Sequence, residues 1–137
     1  MQYIVVFDTN VLISTLLSTA SNPFRCLALA KIRKIESVTC QEILNEFSEK
    51  LIVKFKFSQE KTQAAIEEIR SFSRLVEIST ELRVVPADPD DDMVVECAVV
   101  GGATHIVTGD KHLLSLGQYQ KITIIKATEF VALLSQA

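Results

Sequence analysis

Between Tyr3 and Ile13 the sequence reads YIVVFDTNVLI, a run of apolar residues interrupted by one carboxylate. The β-branched and aromatic residues up to Phe7 do not alternate with polar ones. This pattern predicts a strand buried on both faces, as in the centre of a parallel sheet. Asp8 ends that strand, and open α/β sheets bind ligands beyond the carboxyl ends of their strands. Asp8 is therefore a candidate site residue, although an aspartate at this place could instead simply cap the following helix.

The composition predicts one folded domain over residues 1–137, because 48% of the residues are hydrophobic and the chain is long enough for a single core. No apolar run is long enough to cross a bilayer, and no signal-peptide pattern precedes the first strand. We therefore expect a soluble, cytoplasmic protein without a membrane partner. The three cysteines are far apart in sequence, which predicts buried free thiols. The two histidines lack zinc-ligand spacing, and the sequence contains no phosphate loop or serine-hydrolase motif.

Residues 39–54 predict a long helix with an acidic residue at the edge of its apolar stripe. Glu42 and Glu49 fall almost opposite that stripe and are expected to face solvent. Glu46 lies roughly 115° from the centre of the stripe, so it is the acid best placed to reach a crevice. The alternative is that Glu46 is a surface residue that pairs with Lys50 one helical turn later.

Cations and aromatic residues alternate in the segment KFKF, from Lys54 to Phe57. Interleaved cations and aromatic rings can follow a phosphate backbone and stack on bases, so Lys54 and Lys56 are candidate RNA contacts. The alternative is a helix end with favourable lysines, followed by a turn that the phenylalanines pack.

Residues 86–116 read PADPDDDMVVECAVVGGATHIVTGDKHLLSL and contain the second informative segment. Asp88 is followed by proline, which predicts a helix start, and the helix dipole explains the next two aspartates without any function. Asp92 shares a helix face with Val95 and Val99, so it is predicted to point inward. Glu96 is a weaker candidate of the same kind. The following strand ends near Asp110, as the first strand ends at Asp8.

Four carboxylates that converge at one end of a sheet would repel one another unless they took up protons or bound a cation. A cage of oxygen ligands selects hard ions such as Mg²⁺ or Mn²⁺, whose natural chemistry is hydrolysis of a phosphodiester. The candidates are Asp8, Glu46, Asp92 and Asp110. Without these four, 13 acidic residues remain against 14 basic ones, so the net charge of −3 does not forbid contact with phosphates.

The segments FDTNVLI, ILNEF, DPDDDMVVECA and IVTGDKHLL resemble the four motifs of the PIN-domain nucleases, in order and across nearly the whole chain. In particular, the chain resembles small bacterial single-domain PIN proteins that are regarded as toxins of toxin–antitoxin pairs. This resemblance implies a three-layer α/β/α sandwich with a five-stranded parallel sheet in the order 3-2-1-4-5. It also implies metal-dependent endonucleolytic cleavage of RNA.

The same resemblance implies roles for individual residues and partners. Asp8, Glu46, Asp92 and Asp110 would form the acidic site, with Asn10 and Thr108 as its polar supports. A small antitoxin protein would cover the crevice, and a homodimer would form with a contribution from residues 50–57.

Two other classes of function are weighed against the nuclease. A non-catalytic PIN-like module that binds RNA or protein would carry the acids only as remnants. An aspartyl-phosphate phosphatase or a receiver domain also has an aspartate after its first strand. The phosphatase pattern requires a second aspartate where Asn10 stands, and the receiver pattern requires a paired acid just before Asp8. Neither requirement is met.

Overall fold

The computed structural model describes residues 2–135 and contains one six-stranded sheet with helices packed against it. The strands are β1 (Ile4–Phe7), β2 (Glu36–Cys40), β3 (Ser73–Val76), β4 (His105–Val107), β5 (Gln118–Tyr119) and β6 (Ile122–Ile125). The helices are α1 (Thr9–Leu17), α2 (Asn22–Lys31), α3 (Gln41–Val53), α4 (Gln59–Phe72), α5 (Pro89–Gly101), α6 (Lys111–Leu116) and α7 (Ala127–Ser135).

The strand order is β3-β2-β1-β4-β6-β5, and every neighbouring pair is parallel except β5 with β6. The predicted α/β fold and the predicted order of five parallel strands are confirmed, with β6 as the fifth of them. The sixth strand, β5, was not predicted, because two residues next to a turn leave no periodic pattern in the sequence.

The central strand β1 explains the unbroken apolar run near the amino terminus. It pairs with β2 on one side and β4 on the other, and both Val5 and Val6 are fully buried. The register places Phe7 beside Val107, and the N–H of Asp8 donates to the carbonyl of Val107 at 3.2 Å. The carboxyl ends of β1 and β4 therefore deliver their next residues to the same place.

Helix α5 packs directly on the central strands and makes its closest approach at Gly101. A Cβ atom there would lie 2.5 Å from Cγ1 of Val38, so only glycine lets the helix come this close to β2. The carbonyl of Gly101 accepts a hydrogen bond from the Arg74 guanidinium at 2.7 Å. The helix then ends at Gly102, which has a left-handed φ of 66°.

Three smaller features concern the start of α3, the cysteines and the histidine of β4. The spacing from Thr39 to Glu42 is typical of a capping box, but Cys40 occupies the cap position of α3 and its side chain makes no capping hydrogen bond. All three cysteines are buried and free, as predicted. His105 is a buried residue whose ring packs against Tyr3 and Phe130. Within residues 2–135, no helix is both long enough and apolar enough to cross a membrane.

Candidate metal centre

Asp8 caps a helix and also faces the crevice at the carboxyl end of the sheet. Its Oδ1 atom accepts the N–H of Val11 at 3.0 Å, and its Oδ2 atom accepts the hydroxyl of Thr108. The side chain is 4% exposed. Burial raises the pKa of Asp8, although the hydrogen bonds from Thr108 and Val11 oppose that shift. The capping interpretation and the site interpretation of this residue are therefore compatible.

Asp110 is held in the same way at the end of β4. Its Oδ1 atom accepts the N–H groups of His112 and Leu113, at 2.7 and 3.2 Å. Burial opposes ionisation, but these backbone donors and a hydrogen bond with Asp91 contribute to holding the pKa of Asp110 below its usual value. The N–H of Asp110 donates to Oγ1 of Thr108 at 2.9 Å, so one buried hydroxyl links Asp8 to Asp110.

The first turn of α5 brings two further aspartates to Asp110. Single carboxylate oxygens of Asp88, Asp91 and Asp110 all lie within 4.8 Å of one another. Asp88 is the helix cap, because its Oδ1 atom accepts the N–H of Asp90 at 3.0 Å. The Oδ2 atom of Asp91 is buried and has no hydrogen-bond partner within residues 2–135. An unpaired buried oxygen beside two other carboxylates is costly unless a proton or a cation compensates it.

The pKa of Asp91 also indicates that its carboxyl group requires a proton or a cation. Burial raises its pKa to about 8, and the negative charge of Asp110 adds to the shift. In its protonated form Asp91 can donate to Asp110, which lowers the pKa of Asp110 in turn. A divalent cation would replace that proton. The donors are all hard oxygens, without a thiol or imidazole among the three residues, and this set suits Mg²⁺ or Mn²⁺.

Asp92 does not face this crevice, so its predicted place in the acidic site is wrong. Its Oδ1 atom accepts the N–H groups of Val84 and Val85, at 2.8 and 2.7 Å, and the side chain is buried. The helix-face argument failed because α5 is buried on nearly all sides. An inward direction therefore did not distinguish the side facing the crevice from the side facing the preceding loop. Asp91 precedes the crevice-lining Val94 by three residues, but only the folded structure shows which buried residues of α5 line the crevice.

Glu96, the weaker sequence candidate, also holds this loop. Its carboxylate accepts three backbone N–H groups at 2.6–3.1 Å, from Ser79, Thr80 and Leu82, and the Ser79 hydroxyl at 2.8 Å. Burial opposes ionisation, but these donors outweigh it and lower the pKa of Glu96. Asp92 and Glu96 together anchor the segment that leads into Asp88 and α5.

The crevice is small and strongly acidic. It encloses about 50 Å³, which fits an ion with one or two waters but no nucleotide. The residues that line it are Asp8, Thr9, Asn10, Glu46, Lys50, Asp88, Asp90, Asp91, Val94 and Asp110. The lining therefore includes three of the four acids proposed from the sequence, Asp8, Glu46 and Asp110, together with Asp88, Asp90 and Asp91.

Glu46 and Asn10 contribute to the rim of the crevice. Burial raises the pKa of the half-buried Glu46, while the positive charge of Lys50 opposes that shift. Asn10 is exposed, and its Oδ1 atom accepts a hydrogen bond from Nζ of Lys50 at 3.3 Å. Asn10 therefore positions a cation at the rim, whereas Thr108 directly supports the aspartates.

Lys54 and Lys56 lie outside the lining of the crevice and are exposed. The Lys54 ammonium lies 5.6 Å from the centre of the Phe55 ring. Phe55 and Phe57 pack against the core, as the alternative interpretation of this segment required. A role for the two lysines in binding RNA remains a prediction.

Three helices begin at the crevice, and each has an aspartate at its cap. Asp8 caps α1, Asp88 caps α5 and Asp110 caps α6. Helix amino termini carry partial positive charge, so they stabilise neighbouring carboxylates even before a cation binds. This arrangement explains how the chain can fold with so many acids in one place.

A comparison with models of known protein families identifies the family of this chain. The family model for the PIN domain matches residues 4–112, which include every acid named above. The chain belongs to the PIN-domain family. Its members are typically nucleases, and the acidic cluster is in place here. No curated protein matches the chain in sequence.

Two solved structures share the PIN fold with this chain. One is VapBC2 from Rickettsia felis, bound to a DNA fragment from its promoter. The matched chain is 16% identical, with a TM-score of 0.59, and the match covers 88% of this chain and 96% of that one. The other is the PIN domain of T. brucei RRP44, which is 11% identical, with a TM-score of 0.56. That match covers 99% of this chain and 83% of the other.

Proposed function

We propose that this PIN domain is a Mg²⁺- or Mn²⁺-dependent endoribonuclease. The observation that carries the proposal is the three-oxygen cluster of Asp88, Asp91 and Asp110, with the buried and unpaired Oδ2 atom of Asp91. Such an atom is stable at neutral pH only with a proton or a cation beside it. Asp88, Asp91 and Asp110 are the residues that would hold the ion.

The remaining residues would prepare a phosphodiester for hydrolysis. A bound divalent ion supplies activation of a water and stabilisation of the leaving oxygen. Glu46 lies at the rim with a raised pKa, so it is suited to accept the proton of the attacking water. Asp8 and Asp110 are kept in fixed orientations by their backbone donors and by Thr108. This fixed geometry lowers the cost of reorganisation during the reaction.

A cleavage assay with a labelled single-stranded RNA tests the proposal. We expect cleavage with Mg²⁺ or Mn²⁺, none with excess chelator, and none with the Asp91→Asn variant. Glu49→Gln is the matched control, because Glu49 is an exposed acid of α3 outside the lining of the crevice. A DNA strand of the same sequence tests the preference for RNA. Full activity in chelator would refute the proposal, and RNA binding without cleavage would indicate a non-catalytic module.

We further propose that the chain is the toxin of a toxin–antitoxin pair, as the VapBC2 fold relationship suggests. A small antitoxin protein would then cover the acidic crevice. The three free thiols suit a reducing compartment, so we expect the activity in the cytoplasm. Induced expression in bacteria should arrest growth, and Asp91→Asn should abolish the arrest. Growth arrest that persists in this variant would contradict a toxin activity based on cleavage.

A homodimer through the end of α3 is also proposed. Ile52 and Val53 are 38% and 63% exposed there, beside Lys54. Sedimentation of the unaltered protein should show a dimer, and Val53→Glu should shift the equilibrium toward monomer. A monomer at all concentrations would contradict this assembly.

A further inference from the structure

The acidic crevice presents a problem for a nuclease, because its substrate is also an anion. Six carboxylates line the crevice, and a single divalent ion neutralises only two negative charges. Retention of one proton by Asp91 would still leave the crevice anionic. A phosphodiester that approached this surface would be repelled unless a cation of the protein met it at the rim.

Lys50 is the one cationic side chain among the described residues that line the crevice. It is half-buried, and its ammonium donates to Oδ1 of Asn10 at 3.3 Å. Within residues 2–135 it forms no ion pair, whereas Lys31 and Arg74 do. An ammonium has three N–H donors, so at least two remain free to meet another acceptor.

The position of Asn10 fixes where those donors lie. Asn10 follows the crevice-lining Asp8 and Thr9, and Lys50 follows Glu46 by one helical turn. The contact between Asn10 and Lys50 therefore joins the start of α1 to the last turn of α3 across the mouth of the crevice. An amide oxygen holds the lysine without neutralising it. The lysine charge also lowers the pKa of Glu46, but the free N–H donors of the ammonium can still meet a ligand.

We propose that Lys50 binds the phosphate of the nucleic-acid strand at the mouth of the crevice, and that Asn10 positions it there. This inference rests on the proposed nuclease function and adds the residue that admits an anionic substrate to an anionic site. Lys54 is the C-cap residue of α3, four residues after Lys50, and would meet the next part of the strand. Lys50 is not a ligand of the metal. Its replacement should therefore weaken the binding of substrate without weakening the binding of the metal ion.

The test compares Lys50→Gln and Lys50→Arg with Lys34→Gln, a matched loss of charge in the exposed turn before β2. For Lys50→Gln we expect KM for single-stranded RNA to rise about tenfold, because a hydrogen bond to a charged group is lost. The slope of log KM against log salt should fall by roughly 0.7, the value for one phosphate contact on a single strand. The arginine variant should retain most of the affinity, and Lys34→Gln should match the unaltered protein.

Binding of Mn²⁺, measured by calorimetry, separates this role from a structural one. Removal of a positive charge from the rim should leave the Kd for Mn²⁺ unchanged or lower it. Weaker Mn²⁺ binding in Lys50→Gln would show that Lys50 only organises the acids, and this would overturn the inference. An unchanged KM and salt slope would overturn it as well.

Failure of the proposed nuclease function can be recognised separately, because it is a property of the unaltered protein. If that protein bound Mn²⁺ but cut no RNA, fluorescence anisotropy with a short labelled RNA would measure the Lys50 contact directly. A loss of RNA affinity in Lys50→Gln alone would then support the inference without catalysis. Equal affinities of Lys50→Gln and Lys34→Gln would reject it.

Discussion

Thr108 and Asp8 are 100 residues apart in sequence, and the hydroxyl of Thr108 donates a hydrogen bond to Oδ2 of Asp8. The same hydroxyl accepts the N–H of Asp110 at 2.9 Å. One buried side chain therefore fixes both aspartates that follow the central strands β1 and β4. The parallel pairing of those strands brings the three residues together.

Replacement of Thr108 by valine should destabilise the protein and weaken its hold on a divalent ion. The change keeps the shape but leaves Asp8 Oδ2 and the N–H of Asp110 without this partner, at a cost of about 1–3 kcal/mol. Urea unfolding of the metal-free protein measures the loss. Thr108→Ser retains the hydroxyl and is the control. Equal stability of the valine variant and the unaltered protein would contradict a supporting role for the hydroxyl.

Asp91→Asn should abolish Mn²⁺ binding while leaving the metal-free protein about as stable as before. At neutral pH Asp91 is mostly protonated in the metal-free protein, so asparagine replaces one neutral group by another and costs the fold little. The neutral amide lacks the carboxylate charge that attracts the ion. Calorimetry with Mn²⁺ and urea unfolding in chelator measure the two effects. A variant that binds Mn²⁺ with undiminished affinity would exclude Asp91 as a ligand.

Asp92→Ala should have the opposite pattern, although Asp92 is the next residue of α5. It would leave the N–H groups of Val84 and Val85 without their carboxylate acceptor. Hydrogen bonds to a charged group contribute about 1.5–3 kcal/mol each, so a marked loss of stability is expected. The measurement is again urea unfolding. If Asp92→Ala kept full stability but lost Mn²⁺ binding, the two aspartates would have been assigned to the wrong roles.

The stability of the metal-free protein should depend on pH through Asp91. Its pKa is about 8 in the folded state and 3.8 as the ordinary reference value, so folding favours the protonated form. This contribution is complete below pH 3.8 and is lost as the pH rises toward 8. The free energy of unfolding in chelator, measured from pH 5 to 8, should therefore fall further for the unaltered protein than for Asp91→Asn. Parallel curves would contradict the raised pKa.

The same pKa predicts proton release when a metal ion binds. Below pH 8 Asp91 is mostly protonated, and an ion must displace that proton, so the affinity for Mn²⁺ should rise as the pH approaches 8. Calorimetry in two buffers with different ionisation enthalpies counts the released protons. The expected release at pH 6.5 is close to one more proton than at pH 9.

Gly101→Ala should destabilise the fold without touching the acidic crevice. Its Cβ atom would lie 2.5 Å from Cγ1 of Val38, and overpacking of this kind costs about 1–3 kcal/mol. Val38→Ala in the same chain would remove the clash and should lessen the loss, which a double-mutant cycle would detect. Additive effects of the two substitutions would argue against the close approach of α5 to β2.

The parts of this molecule that could be predicted from sequence are those with a strong local pattern. The apolar run before Asp8 predicted the central strand, because a strand paired on both sides and covered on both faces excludes polar residues. The two residues of β5 have no such pattern, and their pairing depends on β6. The positions of Asp8 and Asp110 could be predicted as well, because each comes at or just after the predicted end of a strand.

The choice between Asp91 and Asp92 could not be made from helical periodicity. Both side chains are buried, so the distinction depends on which neighbours surround α5, and the loop of residues 79–85 covers one side of it. Only the folded chain shows that this loop needs the Asp92 carboxylate for its backbone N–H groups. Asp88 was correctly predicted as a helix cap. Its additional role as a member of the oxygen cluster depends on Asp110, which only the fold brings beside it.

Asp88 and Asp91 come from one segment of the chain and Asp110 from another, and only the folded state brings their oxygens together. An ion that binds these oxygens would bind the native protein and not the unfolded chain, so by mass action it would shift the folding equilibrium. At an ion concentration of 100 times the Kd the gain would be about 2.7 kcal/mol. Cellular magnesium would then determine how much of the protein is folded as well as how fast it works.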